Sequence, residues 1–308
     1  MTWFFIALGA PFLWAIVNIA DDYLVSRYSQ KDKERSSGGL VLFSSLIGIF
    51  IAFFILLFTK GIFNISILDK VLLFTTGGLT IIWIIFYLYS LEIEDISVIV
   101  PWFLVAPIFG YVLGYIILGE TLTLFQIIGS MIILTGSVLI SIDFRGEKRI
   151  FKKKMVLYMV LACLAIAISG IIFKFVTIGT GGNFWVSSFW EYFGLGIFGL
   201  LIYGFVPKYR DEFHFMNKTG GKKIFLVNIV SELMSVSGNL LTNFALLLAP
   251  VAMVFLVSSF QPAIVLLLTI IGTKFFPHII KEDISRRVLI PKIIAIVVMI
   301  IGSIFLFI

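Results

Sequence analysis

Ten apolar stretches, each at least 18 residues long, fill this chain and leave little room for any fold outside a membrane. They cover residues 3–20, 40–58, 71–91, 96–118, 122–142, 155–175, 186–206, 224–248, 251–273 and 288–308. A hydrocarbon core of roughly 30 Å takes about 20 residues of helix at 1.5 Å rise per residue. Lipid offers no hydrogen bonds, so a spanning segment of this composition satisfies its backbone internally, as helix. The expected fold is an all-α integral membrane protein with ten transmembrane helices.

The basic residues give the path a direction. Of 23 Lys and Arg, 20 fall in loops that follow odd-numbered stretches, and only Lys60, Lys70 and Lys174 lie elsewhere. The positive-inside rule puts the odd loops in the cytoplasm and both termini outside, for a multi-pass protein of the cell membrane. Composition removes other classes. At 60% hydrophobic and 13% charged, this is no soluble domain, and the +6 net charge is explained by basic loops facing anionic lipid headgroups. The expected partners are a small-molecule substrate and membrane lipid, not nucleic acid, with the chain a monomer or a homodimer. The single Cys163 and the two histidines, His214 and His278 in separate basic loops, exclude a disulfide and a metal-ligand cluster. No metal, cofactor or catalytic residue is expected.

The chain divides into two halves of five stretches: 1–142 and 155–308, joined by a basic cytoplasmic linker, 143–154. Because five is odd, the halves sit in the membrane with opposite orientation. They also share a spacing. Pro107 follows 16 positions after Leu91, and Pro262 follows 16 positions after Leu246, each near the junction of the third and fourth stretches of its half. Such inverted repeats can exchange conformations and open a midplane site first to one side, then to the other. The tight turns at 92–95 and at Ala249-Pro250 lie on opposite sides, where opposed gates are expected.

Five plus five helices, the run from Ser90-Leu91 through Pro101 and Pro107 to Gly119-Glu120, and Gln126, Gly129 and Gly136 in the next helix together resemble the EamA-type transporters of the drug/metabolite transporter superfamily. The second half carries Ala245-Leu246, Pro250, Gln261-Pro262 and Gly302, but departs after the ninth stretch, where the Gly-Glu ending is missing or displaced to Glu282. The resemblance implies two inverted five-helix repeats and a transport function, and does not name a substrate.

Polar residues inside the spans mark the expected cavity. Asn228, Glu232, Ser235, Asn239 and Thr242 recur within an arc of about 80° of the eighth helix, with Asn243 on its flank. Glu232 lies roughly 12 Å into that helix, where a carboxylate is costly unless it faces a cavity or a partner. On the third helix Thr76, Thr80, Trp83, Tyr87 and Ser90 repeat the spacing with aromatic chemistry. The expected cavity residues are Trp14, Asn18, Thr80, Trp83, Tyr87, Trp102, Glu232, Asn239, Asn243 and Gln261. Glu191 and Lys174 are expected to pair near the outer face, as a salt bridge that doubles as a gate. Glu232 is the expected proton-coupling residue, with Glu191 next.

The expected function is secondary transport of a small metabolite or amphipathic organic compound by alternating access. A flippase or exporter of a lipid-linked or sugar-nucleotide substrate on the same fold is the alternative. No GxxxxGK[ST], HExxH or GxSxG motif is present, so neither ATP hydrolysis nor intramembrane enzyme chemistry is expected.

Overall fold

The computed structural model describes residues 2–28, 37–94, 96–141, 152–275 and 286–308, and is helical with no strand among them. α1 (Thr2–Tyr28) and α2 (Gly38–Phe58) lead into α3 (Ile67–Leu91), which begins where the Ser66 hydroxyl accepts from Asp69 N at 3.1 Å. α4 (96–118) is composite: helical Ile96–Ile99, a 3-10 turn Val100–Val105, helical Ala106–Leu113 and a π-turn Gly114–Leu118. α5 (Leu124–Ser141) opens on a reciprocal cap. Thr123 N donates to Gln126 Oε1 at 3.0 Å and Gln126 N donates to Thr123 Oγ1 at 3.2 Å. α6 (Lys153–Gly179) and α7 (Phe184–Phe205) precede α8 (Pro207–Leu246), which Gly221 breaks at φ 66°, ψ −177°. α9 (251–275) joins helical Val251–Val257 and Gln261–Phe275 through a 3-10 turn, Ser258–Phe260, and α10 is Arg286–Phe305.

Among the described residues, eight helices are long and apolar enough to cross a bilayer. Those within α5 and α10, Leu124–Ile140 and Leu289–Phe305, fall short of 18 residues. Large apolar side chains lie exposed around the outside, among them Phe54, Ile116 and Ile304, as lipid-facing surface requires. The segment 207–220, expected as loop, is helical ahead of the Gly221 break. It packs on the start of α2, where Tyr209 and Glu212 lie against Gly38. His214 lies on this segment with Nε2 2.9 Å from the Tyr203 hydroxyl. Residues 143–151 of the basic linker lie outside the described residues, as do Lys31, Lys33, Arg35, Asp95, His278, Lys281 and Glu282.

Proline explains the composite helices. It has no N–H to give and its ring crowds the preceding turn, which favours a break in regular helix in α4 and α9, whereas Pro11 and Pro291 stand inside the continuous helices α1 and α10. Pro107 and Pro262 each stand second in the helical piece that follows a 3-10 turn.

Packing brings the two halves together along their length. The main pairings are α3 with α6, α1 with α8, α2 with α7, α5 with α10, α3 with α7, α4 with α6, α1 with α9, α4 with α9 and α2 with α8. Some of these contacts are backbone-close. A Cβ on Gly77 would stand 2.1 Å from Leu195 N, and one on Gly194 would stand 2.1 Å from Phe74 O, so α3 and α7 meet with no side chain between them. A Cβ on Gly110 would reach within 2.9 Å of the Phe255 ring, so Gly110 serves the approach of α4 to α9.

Candidate functional site

Between the halves lies a cavity with about 1280 Å³ of empty space, part of it open to solvent. It is walled from α1, α2, α3 and α4 on one side and α6, α7, α8 and α9 on the other. The polar stripe of α8 faces it: Asn228, Glu232, Ser235, Asn239 and Thr242 all line the cavity, with Asn243 beside them. Periodicity causes this, because residues spaced three and four apart share a helix face and five polar groups on one face seek the wet side.

α3 contributes Thr80, Trp83 and Tyr87. Its two flanking polar residues do not line the cavity: the hydroxyls of Thr76 and Ser90 donate to Leu73 O at 2.6 Å and Phe86 O at 2.7 Å in their own helix. Trp14 and Asn18 of α1 and Gln261 of α9 also line the cavity. The Trp83 and Tyr87 rings lie 6.0 Å apart and Tyr87 lies 5.7 Å from Phe103, forming a continuous aromatic wall.

Two expectations need correction. Trp102 is not on the cavity wall. It packs against the core that includes Ile99 and Met159, and its carbonyl accepts from Cys163 Sγ at 3.3 Å. Phe103 takes its place because the 3-10 turn advances about 120° per residue, which shifts the face presented from that of an α-helix. Nor do Lys174 and Glu191 pair. Glu191 is on the cavity, where Asn243 Nδ2 donates to its Oε2 at 2.7 Å, whereas Lys174 Nζ lies 2.6 Å from Glu120 Oε1. The sequence sets the depth of a residue along its helix, and the azimuth of each helix then decides which partner it meets.

The Lys174–Glu120 pair does more than neutralise two charges. Lys174 also donates to Ala249 O at 2.6 Å, and Glu120 Oε2 accepts from Val251 N at 2.7 Å. The two side chains thus grip both flanks of the Ala249-Pro250 turn, and the carboxylate sits at the N-terminus of α9, where the helix dipole favours it. At the other end of α6, Lys152 reaches the α3–α4 turn, with Nζ 3.1 Å from Glu94 Oε1 and 2.8 Å from Ile93 O. One pair is nearly buried, at 9% and 14% side-chain exposure. The other is open, at 60% and 25%.

Inside the cavity, the Ser44 hydroxyl donates to Glu232 Oε1, and the Tyr87 hydroxyl donates to Asn18 Oδ1 at 2.9 Å. Ser44 and Phe103 were not singled out from sequence, although Ser44-Ser45 interrupts an otherwise apolar span. Asn18 Nδ2 and Trp14 Nε1 are buried donors with no partner among the described residues. Among the described residues no group of three or more His, Cys, Asp or Glu could hold a metal ion.

This arrangement can be set beside known proteins. Residues 1–142 match the sequence model described as the EamA-like transporter family. The match spans 142 of the 308 residues. The EamA-like family lies within the drug/metabolite transporter superfamily, so the first half of this multi-pass membrane protein is similar to membrane transporters of that type. A crystal structure of a protein 13% identical in sequence superposes with a TM-score of 0.67, covering 99% of this chain and 95% of that one. At that identity the likeness concerns the fold alone. No curated protein matches the chain in sequence.

Proposed function

We propose that the protein is a secondary transporter that moves a small organic solute by alternating access, its two five-helix halves, 1–142 and 155–308, inverted with respect to one another. The observation that carries this reading is a polar and aromatic cavity walled by both halves. Symmetry supports it. Exchanging α1 to α5 for α6 to α10 in order turns α3–α6 into α8–α1 and α3–α7 into α8–α2, while α2–α7, α4–α9 and α5–α10 map onto themselves. The 3-10 turns before Pro107 and Pro262 fall at matching places in the two halves. α5 and α10 pair with each other, which fits a ten-helix arrangement.

The two lysine contacts supply the gates. Lys174 and Glu120 hold the α8–α9 turn, and Lys152 and Glu94 hold the α3–α4 turn, so each end of α6 ties one hairpin. With the basic loops inside and both termini outside, the nearly buried pair is external. The cavity is then shut from outside, and opening it requires that pair to part.

Proton coupling is assigned to Glu232. A carboxyl in the bundle loses hydration only at a cost to its ionised form, so its protonation responds to which side water enters from. Asp21, Tyr87 and Glu191 are the other titratable groups on the cavity wall, and Ser44 is its bonded neighbour.

Counterflow in proteoliposomes tests the function. Vesicles preloaded with one unlabelled candidate solute should accumulate the labelled form transiently, with water-soluble metabolites and lipid-linked substrates assayed in parallel. Flux of lipid-linked substrates alone would replace this reading with the flippase, and the absence of any flux in a broad solute library would remove transport.

A further inference from the structure

We propose that the cavity selects an organic cation, a protonated amine attached to an aromatic body, over anionic or neutral analogues. This deepens the transport reading above and rests on it. Asp21, Glu191 and Glu232 are the ionisable acids on the wall, and among the described residues no Lys, Arg or His lines the cavity. Lys174, the buried lysine among the described residues, is engaged with Glu120. Glu191 and Glu232 have hydrogen bonds from Asn243 and Ser44 but no ion-pair partner among the described residues. A cationic ligand supplies the missing counter-charge for whichever of Glu191 and Glu232 is ionised. A phosphate or carboxylate ligand meets like charge in a low-dielectric site.

The remaining walls fit the same ligand. Trp14, Trp83, Tyr87 and Phe103 present aromatic faces, which attract both an ammonium group and the ring that carries it. Asn18, 5% exposed, keeps an amide donor without a partner on this wall. A neutral hydrogen-bond acceptor on the ligand would satisfy it, whereas a second ammonium group would not.

The test is a charge series on one scaffold. Phenethylamine, 2-phenylethanol and phenylacetate have the same ring and nearly the same length, and differ in charge. Binding to the purified full-length protein is read by thermal shift and by quenching of tryptophan fluorescence. Phenethylamine is expected to bind at least about tenfold more tightly than either analogue. Glu191→Gln and Glu232→Gln together should abolish that preference while leaving the weak binding of 2-phenylethanol in place. Equal binding of all three compounds, tighter binding of phenylacetate, or a cation preference that survives the double variant would each overturn the proposal. The charge series on the unmodified protein decides the matter even if the double variant does not fold. Counterflow separates the two levels of the argument: saturable flux of an anion refutes the cation class but leaves a transporter, whereas no flux of any solute removes both.

Discussion

Replacing Glu120 by Gln should loosen the external gate, and the size of the effect follows from the geometry. Opposite charges 2.6 Å apart attract by about 6 kcal/mol at an effective dielectric of 20, before the cost of removing both from water is subtracted. Removing one partner of a buried pair typically costs about 3–5 kcal/mol. Glutamine still offers Val251 N an acceptor and the pair is slightly exposed, so the lower end applies, about 3 kcal/mol. That is a factor of about 150 in the gate equilibrium. If the closed state is favoured by about 99 to 1, the variant is open roughly 60% of the time.

Ser258 lines the cavity, and Cys163 is the protein's only cysteine. A Ser258→Cys, Cys163→Ala background therefore reports opening through its reaction with a membrane-impermeant thiol reagent added on the side of the Ala249-Pro250 turn. Glu120→Gln should raise that rate some tens of fold. Lys174→Met added to Glu120→Gln should recover part of the closure, because a neutral pair leaves no buried charge unpaired. A rate unchanged within about twofold in Glu120→Gln would refute the latch, on a scale where the full effect is some tens of fold.

Glu232→Gln keeps the shape of the side chain and cannot ionise, so the variant should fold, lose uptake driven by a proton gradient and retain solute exchange; unchanged pH dependence would move the coupling role to Glu191. Gly238→Ala places a Cβ 2.7 Å from Trp14 Nε1 and should displace the indole, weakening solute binding with little change in thermal stability, as paired titration and melting would register. Gly194→Ala forces a Cβ to 2.1 Å from Phe74 O and should lower the melting temperature through a cost of about 1–3 kcal/mol or more, since α3 and α7 cannot both hold their positions. A reporter active only in the cytoplasm should be silent after Ile308 and active within residues 145–153; the opposite pattern would invert the orientation.

Much of the cavity was legible in the sequence because its signal is local. Asn228 to Thr242 and Thr80 to Tyr87 repeat at helical spacing within apolar spans, and a buried amide or acid in lipid has few places to face. Trp14 and Asn18 share the cavity wall for the same reason. What escaped depended on azimuth or on departures from regular helix. Glu120 stands 131 positions from the Val251 amide it caps, and nothing in the spacing distinguishes it from Glu191 as the partner of Lys174. The exchange of Trp102 for Phe103 reflects a 3-10 turn, which changes the rotation per residue. Segment 207–220 looked like loop because its charges are dense, yet Tyr209, Glu212 and Phe213 lie along one side of it against the start of α2.

Two-sided accessibility of one cavity residue tests alternating access most directly. Asn239 faces the cavity in the middle of the polar stripe of α8, so Asn239→Cys in a Cys163→Ala background reports any state in which water reaches the centre. Alternating access predicts labelling by a membrane-impermeant reagent from either face of the membrane, with bound solute slowing both reactions. Labelling confined to one face under every condition, with or without solute, would contradict it.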